Sequence, residues 1–124
     1  MRLIGVPLRR RAAGGAPSSQ KEPSTHMYVG ALELDLLLGD VGSIKQKRSV
    51  VRPVVAELKR RHAVAVAEAG HLDLHRRALI GVAAVAADAA HVTEVLDQCE
   101  RLVAAHPEFQ VLSARTRWLG PHDE

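Results

Sequence analysis

Hydrophobic and polar residues alternate along the segment that follows Tyr28. Leucine occupies every second position there: Leu32, Leu34, Leu36 and Leu38. Glu33 and Asp35 lie between these leucines. Successive side chains of a β-strand point to opposite faces of a sheet, so a period of two predicts a strand with one buried face. We expect a first strand that turns its leucines to the core and its two acids to the other side.

Two later segments have the period of an α-helix. Ser43 and Gln46 have the spacing of a capping box, which predicts a helix over 44–61. Pro53 lacks the N–H that a helical bond would use, so a kink or a restart is expected there. The arc that should face the sheet is apolar: Ile44, Val51, Val54, Val55 and Leu58. Asp88 is the predicted cap of a second amphipathic helix.

Three further segments have strand patterns, at 62–69, 77–87 and 108–119. The first two are joined by a polar connection and should form a hairpin. The resulting order βαββαβ is the split βαβ motif of ferredoxin-like folds. Right-handed crossovers then place both helices on one face of a four-stranded antiparallel sheet. The predicted fold is therefore α+β and ferredoxin-like, with the other sheet face open to solvent or to a partner.

The first 26 residues lack a hydrophobic period and hold much of the positive charge. They contain five basic residues and one acid, which leaves 12 of the 17 basic and 13 of the 14 acidic residues for the remainder. Arginine, glycine and proline in such a segment are typical of a disordered arm. We expect Met27 to be the natural start and 1–26 to be a non-native extension. The alternative is a basic arm that contacts RNA or lipid. The ferredoxin-like domain should span 27–124.

Composition argues against several classes of protein. The single cysteine, Cys99, cannot form an internal disulfide, and no apolar run is long enough to span a bilayer, so a cytoplasmic protein without a membrane partner is expected. Cys99 lies on the apolar arc of the second helix, which predicts packing rather than nucleophilic chemistry. The common nucleotide-binding and hydrolase motifs are missing from the sequence. We therefore predict a protein that is not an enzyme and uses no cofactor.

One segment carries a family resemblance. Residues Ser43 to Arg48 have the pattern Ser-x-Lys-x-Lys-Arg after a leucine-rich strand, and Glu68 and Asp73 follow before the third strand. The chain resembles the YlxP-like proteins, a bacterial family of unknown function, over residues 27–118. The resemblance implies a ferredoxin-like fold in a small cytoplasmic protein, commonly encoded among genes for translation initiation factor two and ribosome-binding factor A. It implies no catalytic residues.

Positively charged residues share one face of the first helix. At 100° per residue, four of them fall within about 60° of one another: Lys45, Arg48, Arg52 and Lys59. Lys47 adds charge nearby. Such a row can track a phosphate backbone and release its counterions, although a solvated helix face is the plainer interpretation. We predict that these five residues bind nucleic acid. Together with the resemblance, this favours ribosomal RNA or a ribosomal or translation protein as the partner.

Two other functions are open. In the first, the exposed sheet face packs against a second copy in a homodimer. This face is rich in small residues and has Trp118 and Leu119 at the end of the last strand.

The second alternative function is that of a metal-dependent enzyme. Four polar residues near the hairpin connection could bind zinc or manganese: Glu68, His71, Asp73 and His75. A polar connection needs hydrophilic residues in any case, so the metal site is the third choice.

Overall fold

A computed structural model describes residues 26–119. The elements are β1 (Tyr28–Leu38), α1 (Ile44–Arg61), β2 (Ala65–Gly70), β3 (Arg77–Ala86), α2 (Ala89–Ala104) and β4 (Phe109–Leu119). The strands form one antiparallel sheet in the order β2-β3-β1-β4. This is the predicted ferredoxin-like α+β fold, with β2 and β4 at the edges of the sheet. The predicted arm, apart from His26, lies outside the described residues.

The alternation in β1 divides the sheet into a helix-covered face and an open face. Leu34 and Leu36 are fully buried under the helices, as the period of two predicted. Their partners on β3 face the same way: Ile80 lies opposite Leu34, and Ala78 opposite Leu36. Burying one leucine side chain fully contributes about 1.5–3 kcal/mol, so this strand supplies a large share of the core.

Helix α2 packs across the middle of the sheet. Its buried stripe is Val92, Leu96, Cys99 and Val103. Gly30 of β1 allows this close approach, because a Cβ atom there would lie 2.7 Å from Cγ1 of Val92 and 2.9 Å from Cδ1 of Leu96. Burial raises the pKa of the Cys99 thiol to about 11, so the thiol stays protonated near neutral pH. The packing role predicted for Cys99 is confirmed.

Helix α1 has the predicted bounds. Ser43 Oγ accepts a hydrogen bond from the Gln46 N–H at 3.1 Å, and Gln46 Oε1 accepts one from the Gly42 N–H at 2.6 Å. The first bond satisfies an amide group that the first turn of a helix leaves unpaired, and the second holds the residue before the cap against that turn. The helix continues through Pro53 as one element, so the restart expected there does not occur.

The end of α1 shifts the start of β2. The N–H of His62 donates to the Leu58 carbonyl at 3.0 Å and closes the helix, and the N–H of Val64 then donates to the His62 carbonyl at 3.0 Å. Residues 62–64 therefore form the connection, and β2 begins at Ala65 rather than at the predicted residue 62. In the part of the chain that the structure describes, neither helix is long and apolar enough to cross a membrane.

Candidate nucleic-acid interface

Four of the five residues predicted to bind nucleic acid lie together on the surface of α1. They are exposed, and none forms an ion pair within residues 26–119. We refer to Lys45, Arg48, Arg52 and Lys59 as the α1 cationic stripe. At a rise of 1.5 Å per residue the stripe is about 21 Å long. One duplex strand carries a phosphate about every 3.4 Å along the axis, so the stripe spans about six of them.

The α1 cationic stripe lies on the side of α1 away from α2. Glu57 and Arg61 mark the opposite side, because they line a cleft together with residues of α2. At 100° per residue these two positions are about half a turn from the stripe. Helix α1 packs over the edge strand β2, so the stripe follows the outer edge of the domain. The acids of α2 are kept away from it by the width of α1: Glu94, Asp97 and Glu100.

Lys47, the fifth predicted residue, lies in the core. Its side chain is 1% exposed. The ammonium group donates to the carbonyls of His71 at 2.8 Å, Leu74 at 2.8 Å and Arg77 at 3.0 Å. The Glu68 carboxylate, 2.7 Å away, balances the charge without accepting one of those three protons. The prediction that Lys47 contacts nucleic acid is wrong, because its position on the helix turns it about 200° from the first residue of the stripe.

The polar residues proposed as metal ligands do not converge. Asp73 and His75 are exposed on the connection between β2 and β3, while Glu68 is held by Lys47. His71 has a left-handed backbone with φ 57°, and its Nε2 lies 3.3 Å from Oδ1 of Asp35. Across residues 26–119 no group of three or more His, Cys, Asp or Glu side chains is placed to hold a metal ion.

The open sheet face carries a charge cluster that the sequence pattern identified only in part. Glu33 and Asp35 lie on this face as predicted, at the centre of the sheet. Arg115 and Arg117 of β4 each approach Glu33 to 3.3 Å. On the other side, Nη2 of Arg77 donates to both oxygens of Asp35 at 2.7 and 2.8 Å. This bond is the main reason that the pKa of Asp35 is lowered.

The arginines of this cluster were missed by the sequence reasoning. Their two-residue spacing, Arg115 and Arg117, was a signal that they share one face of a strand. The spacing does not predict the strand register, which places Arg115 opposite Glu33. That pairing joins residues 82 positions apart in the chain, so it depends on how the whole sheet assembles.

Trp118 and Leu119 lie on opposite faces of the sheet. Trp118 pairs with Gly30, and its Cζ3 atom lies 3.5 Å from where a Gly30 Cβ would be, on the side covered by α2. Leu119 pairs with Val29 on the open face and is 54% exposed. The prediction that both belong to the open face is wrong for Trp118, because adjacent residues of a strand point in opposite directions.

The family model described as "Protein of unknown function (DUF503)" matches residues 29–116, which run from β1 into β4. The chain belongs to this family. It is also 27% identical over 90 residues to the "Uncharacterized protein YlxP" of Bacillus subtilis (strain 168), with 73% of this chain and 98% of that protein covered. The predicted resemblance to YlxP-like proteins is therefore confirmed. The matched span includes the α1 cationic stripe and most of the open sheet face.

The DUF503 domain also has an open cleft between the C-terminal ends of its helices, with a volume of about 510 Å³. Glu57 lies in this cleft, and its carboxylate accepts from Nη1 of Arg61 at 2.9 Å and lies 3.3 Å from Nε2 of His106. The bond from Arg61 lowers the pKa of Glu57. The carboxylate therefore stays ionised near neutral pH, which suits its ion pair with Arg61 of the same helix better than proton transfer to a substrate.

Proposed function

We propose that this DUF503 domain is a non-enzymatic module that binds structured RNA of the ribosome through the α1 cationic stripe. One observation carries the proposal. The four cations of the stripe are exposed and form no ion pair inside the described range 26–119, and the acids of α2 are on the far side of α1. A polyanion can therefore approach the stripe without displacing carboxylates.

Several arginines elsewhere in the domain are instead paired with carboxylates. Arg61, Arg77 and Arg115 each have a carboxylate partner, at 2.9, 2.7 and 3.3 Å. A phosphate that bound one of them would have to compete with that carboxylate. Binding at the stripe displaces only water from its side chains, and the counterions released from the nucleic acid supply the free energy.

The described aromatic residues support contacts to the RNA backbone rather than to bases. Tyr28 packs against the core and Phe109 is buried. Trp118 lies on the helix side of the sheet. Within residues 26–119 no Phe, Tyr or Trp ring therefore lies on the open face. Phosphate contacts position a protein without reading sequence, so the partner is RNA recognised by its shape, as ribosomal RNA is.

The salt dependence of binding tests this proposal quantitatively. Four phosphate contacts predict a slope of log K against log salt of about −2.8 for single strands and about −3.6 for a duplex. A fourfold increase in salt should therefore weaken binding about 50- to 150-fold. The double variant Arg48→Gln/Arg52→Gln should reduce the slope by about 1.4–1.8 in fluorescence anisotropy with a ribosomal RNA hairpin. Arg101→Gln removes a cation from α2 and should leave the slope unchanged.

Co-sedimentation with ribosomal subunits tests the partner. We expect the protein to pellet with subunits at low salt and to be released at high salt. Arg52→Glu should abolish pelleting, whereas Arg101→Glu makes the same charge change on α2 and should not. Salt-indifferent pelleting, no pelleting at all, or an equal loss in both variants would contradict the proposal.

A further inference from the structure

Pro53 lies inside α1 and leaves one backbone carbonyl of the helix without its usual donor. In an α-helix the N–H of each residue donates to the carbonyl of the residue four positions earlier. Proline has no N–H, so the carbonyl of Ser49 receives no such bond. A backbone carbonyl is a strong acceptor that needs a partner, which can be water or a ligand. Helix α1 therefore has a hydrogen-bond acceptor in the middle of its length.

This acceptor faces solvent beside the α1 cationic stripe. The buried side of α1 consists of Lys47, Val51, Val54 and Leu58. At 100° per residue, Ser49 lies about 170° from the middle of that buried side, and it is exposed. Lys45 comes four positions before Ser49 and Arg52 three positions after it. Residues so spaced on a helix have Cβ atoms about 5–6 Å apart, so Ser49 lies between two cations of the stripe.

The side chain of Ser49 adds a second acceptor. Its Oγ donates its proton to the Gln46 carbonyl at 2.7 Å. Because that proton is used, the hydroxyl can only accept a hydrogen bond from a ligand. Pro53 and Ala56 follow on the same side of the helix, and both are exposed and short. A ligand can therefore approach the backbone of α1 closely here and find two acceptors next to positive charge.

We propose that Ser49 makes the α1 cationic stripe selective for RNA over DNA, because its carbonyl accepts a hydrogen bond from a ribose 2′-hydroxyl. This inference rests on the proposed function, in which Lys45 and Arg52 hold phosphates on either side of Ser49. The 2′-hydroxyl is the donor that RNA has and DNA lacks. A duplex of RNA displays these hydroxyls along a wide, shallow minor groove, where a protein can contact them together with phosphates. The cations supply affinity, and Ser49 supplies the choice of sugar.

The ratio of RNA affinity to DNA affinity tests this proposal. Fluorescence anisotropy at one salt concentration compares a ribosomal RNA hairpin with the DNA hairpin of the same sequence. Pro53→Ala supplies the missing N–H, which returns the Ser49 carbonyl to the helical bond. This variant should lower the ratio about two- to tenfold, the contribution of one hydrogen bond. Its DNA affinity and its salt slope should stay the same, because no charge is removed.

Lys59→Gln is the matched control on the same helix. It removes one phosphate contact, so it should weaken binding of both hairpins equally and leave the ratio unchanged. Alanine is a better helix former than proline, so Pro53→Ala should fold, and circular dichroism will show that it does. An unchanged ratio in Pro53→Ala, with both hairpins still bound at the expected salt slope, would overturn this proposal and leave the proposed function standing. Binding of neither hairpin by the natural sequence would defeat both.

Discussion

Replacing Lys47 by methionine should destabilise the domain severely while keeping its volume. The substitution removes the ammonium group that three backbone carbonyls share, and it leaves the Glu68 carboxylate without its positive partner. Breaking a buried ion pair by removing one member costs about 3–5 kcal/mol. A domain of this size has about 5–15 kcal/mol of stability in all, and each kcal/mol shifts Tm by about 4–8 °C. We expect Tm to fall by about 12–40 °C.

Urea unfolding followed by circular dichroism measures this loss, and Lys45→Met is the matched control. Lys45 is exposed on the same helix, so its substitution should change the free energy of unfolding by less than about 0.5 kcal/mol. Adding Glu68→Gln to Lys47→Met should restore part of the loss, because the carboxylate left unpaired is then neutral. A cost below about 1 kcal/mol for Lys47→Met would refute the role of this lysine as the anchor of the connection between β2 and β3.

Three further outcomes are expected. Gly30→Ala should lower the free energy of unfolding by about 1–3 kcal/mol in urea titrations, because its Cβ would clash with Val92 on α2. Arg77 lowers the pKa of Asp35 in the folded state, so their bond stabilises the domain above the ordinary carboxyl pKa, and this stability is lost as pH falls. Arg77→Met should remove this pH-dependent part of the free energy of unfolding. Thermal melts should therefore show a flatter acid dependence in that variant. A thiol reagent should label Cys99 only as fast as the domain opens, because the thiol is buried.

The segment from Ser43 to Arg48, which carries the family resemblance, has two roles. Its first lysine, Lys45, and Arg48 point to solvent on the α1 cationic stripe. Lys47, between them, enters the core and fixes the connection that carries His71 towards Asp35. A single helical turn therefore joins a candidate binding surface to the integrity of the fold. Substitutions in this segment must be compared residue by residue, because Lys45 and Lys47 differ in burial and not in chemistry.

The local sequence determined the elements and the two faces of the sheet. Alternation in β1 set which residues are buried, and Ser43 with Gln46 set the start of α1, because strand pleat and helix caps depend on neighbours within a few positions. The helical period also placed the stripe on one side of α1. These features need no knowledge of distant residues.

Only the tertiary structure decided where Lys47 goes and which arginines meet Glu33. Lys47 is buried because carbonyls 24–30 positions later in the chain receive its three protons, and no local pattern marks such partners. Arg115 reaches Glu33 because β4 joins the edge of the sheet beside β1 in one register. Pairing between distant segments reflects the packing of the whole core, so its consequences cannot be derived from spacing along the chain.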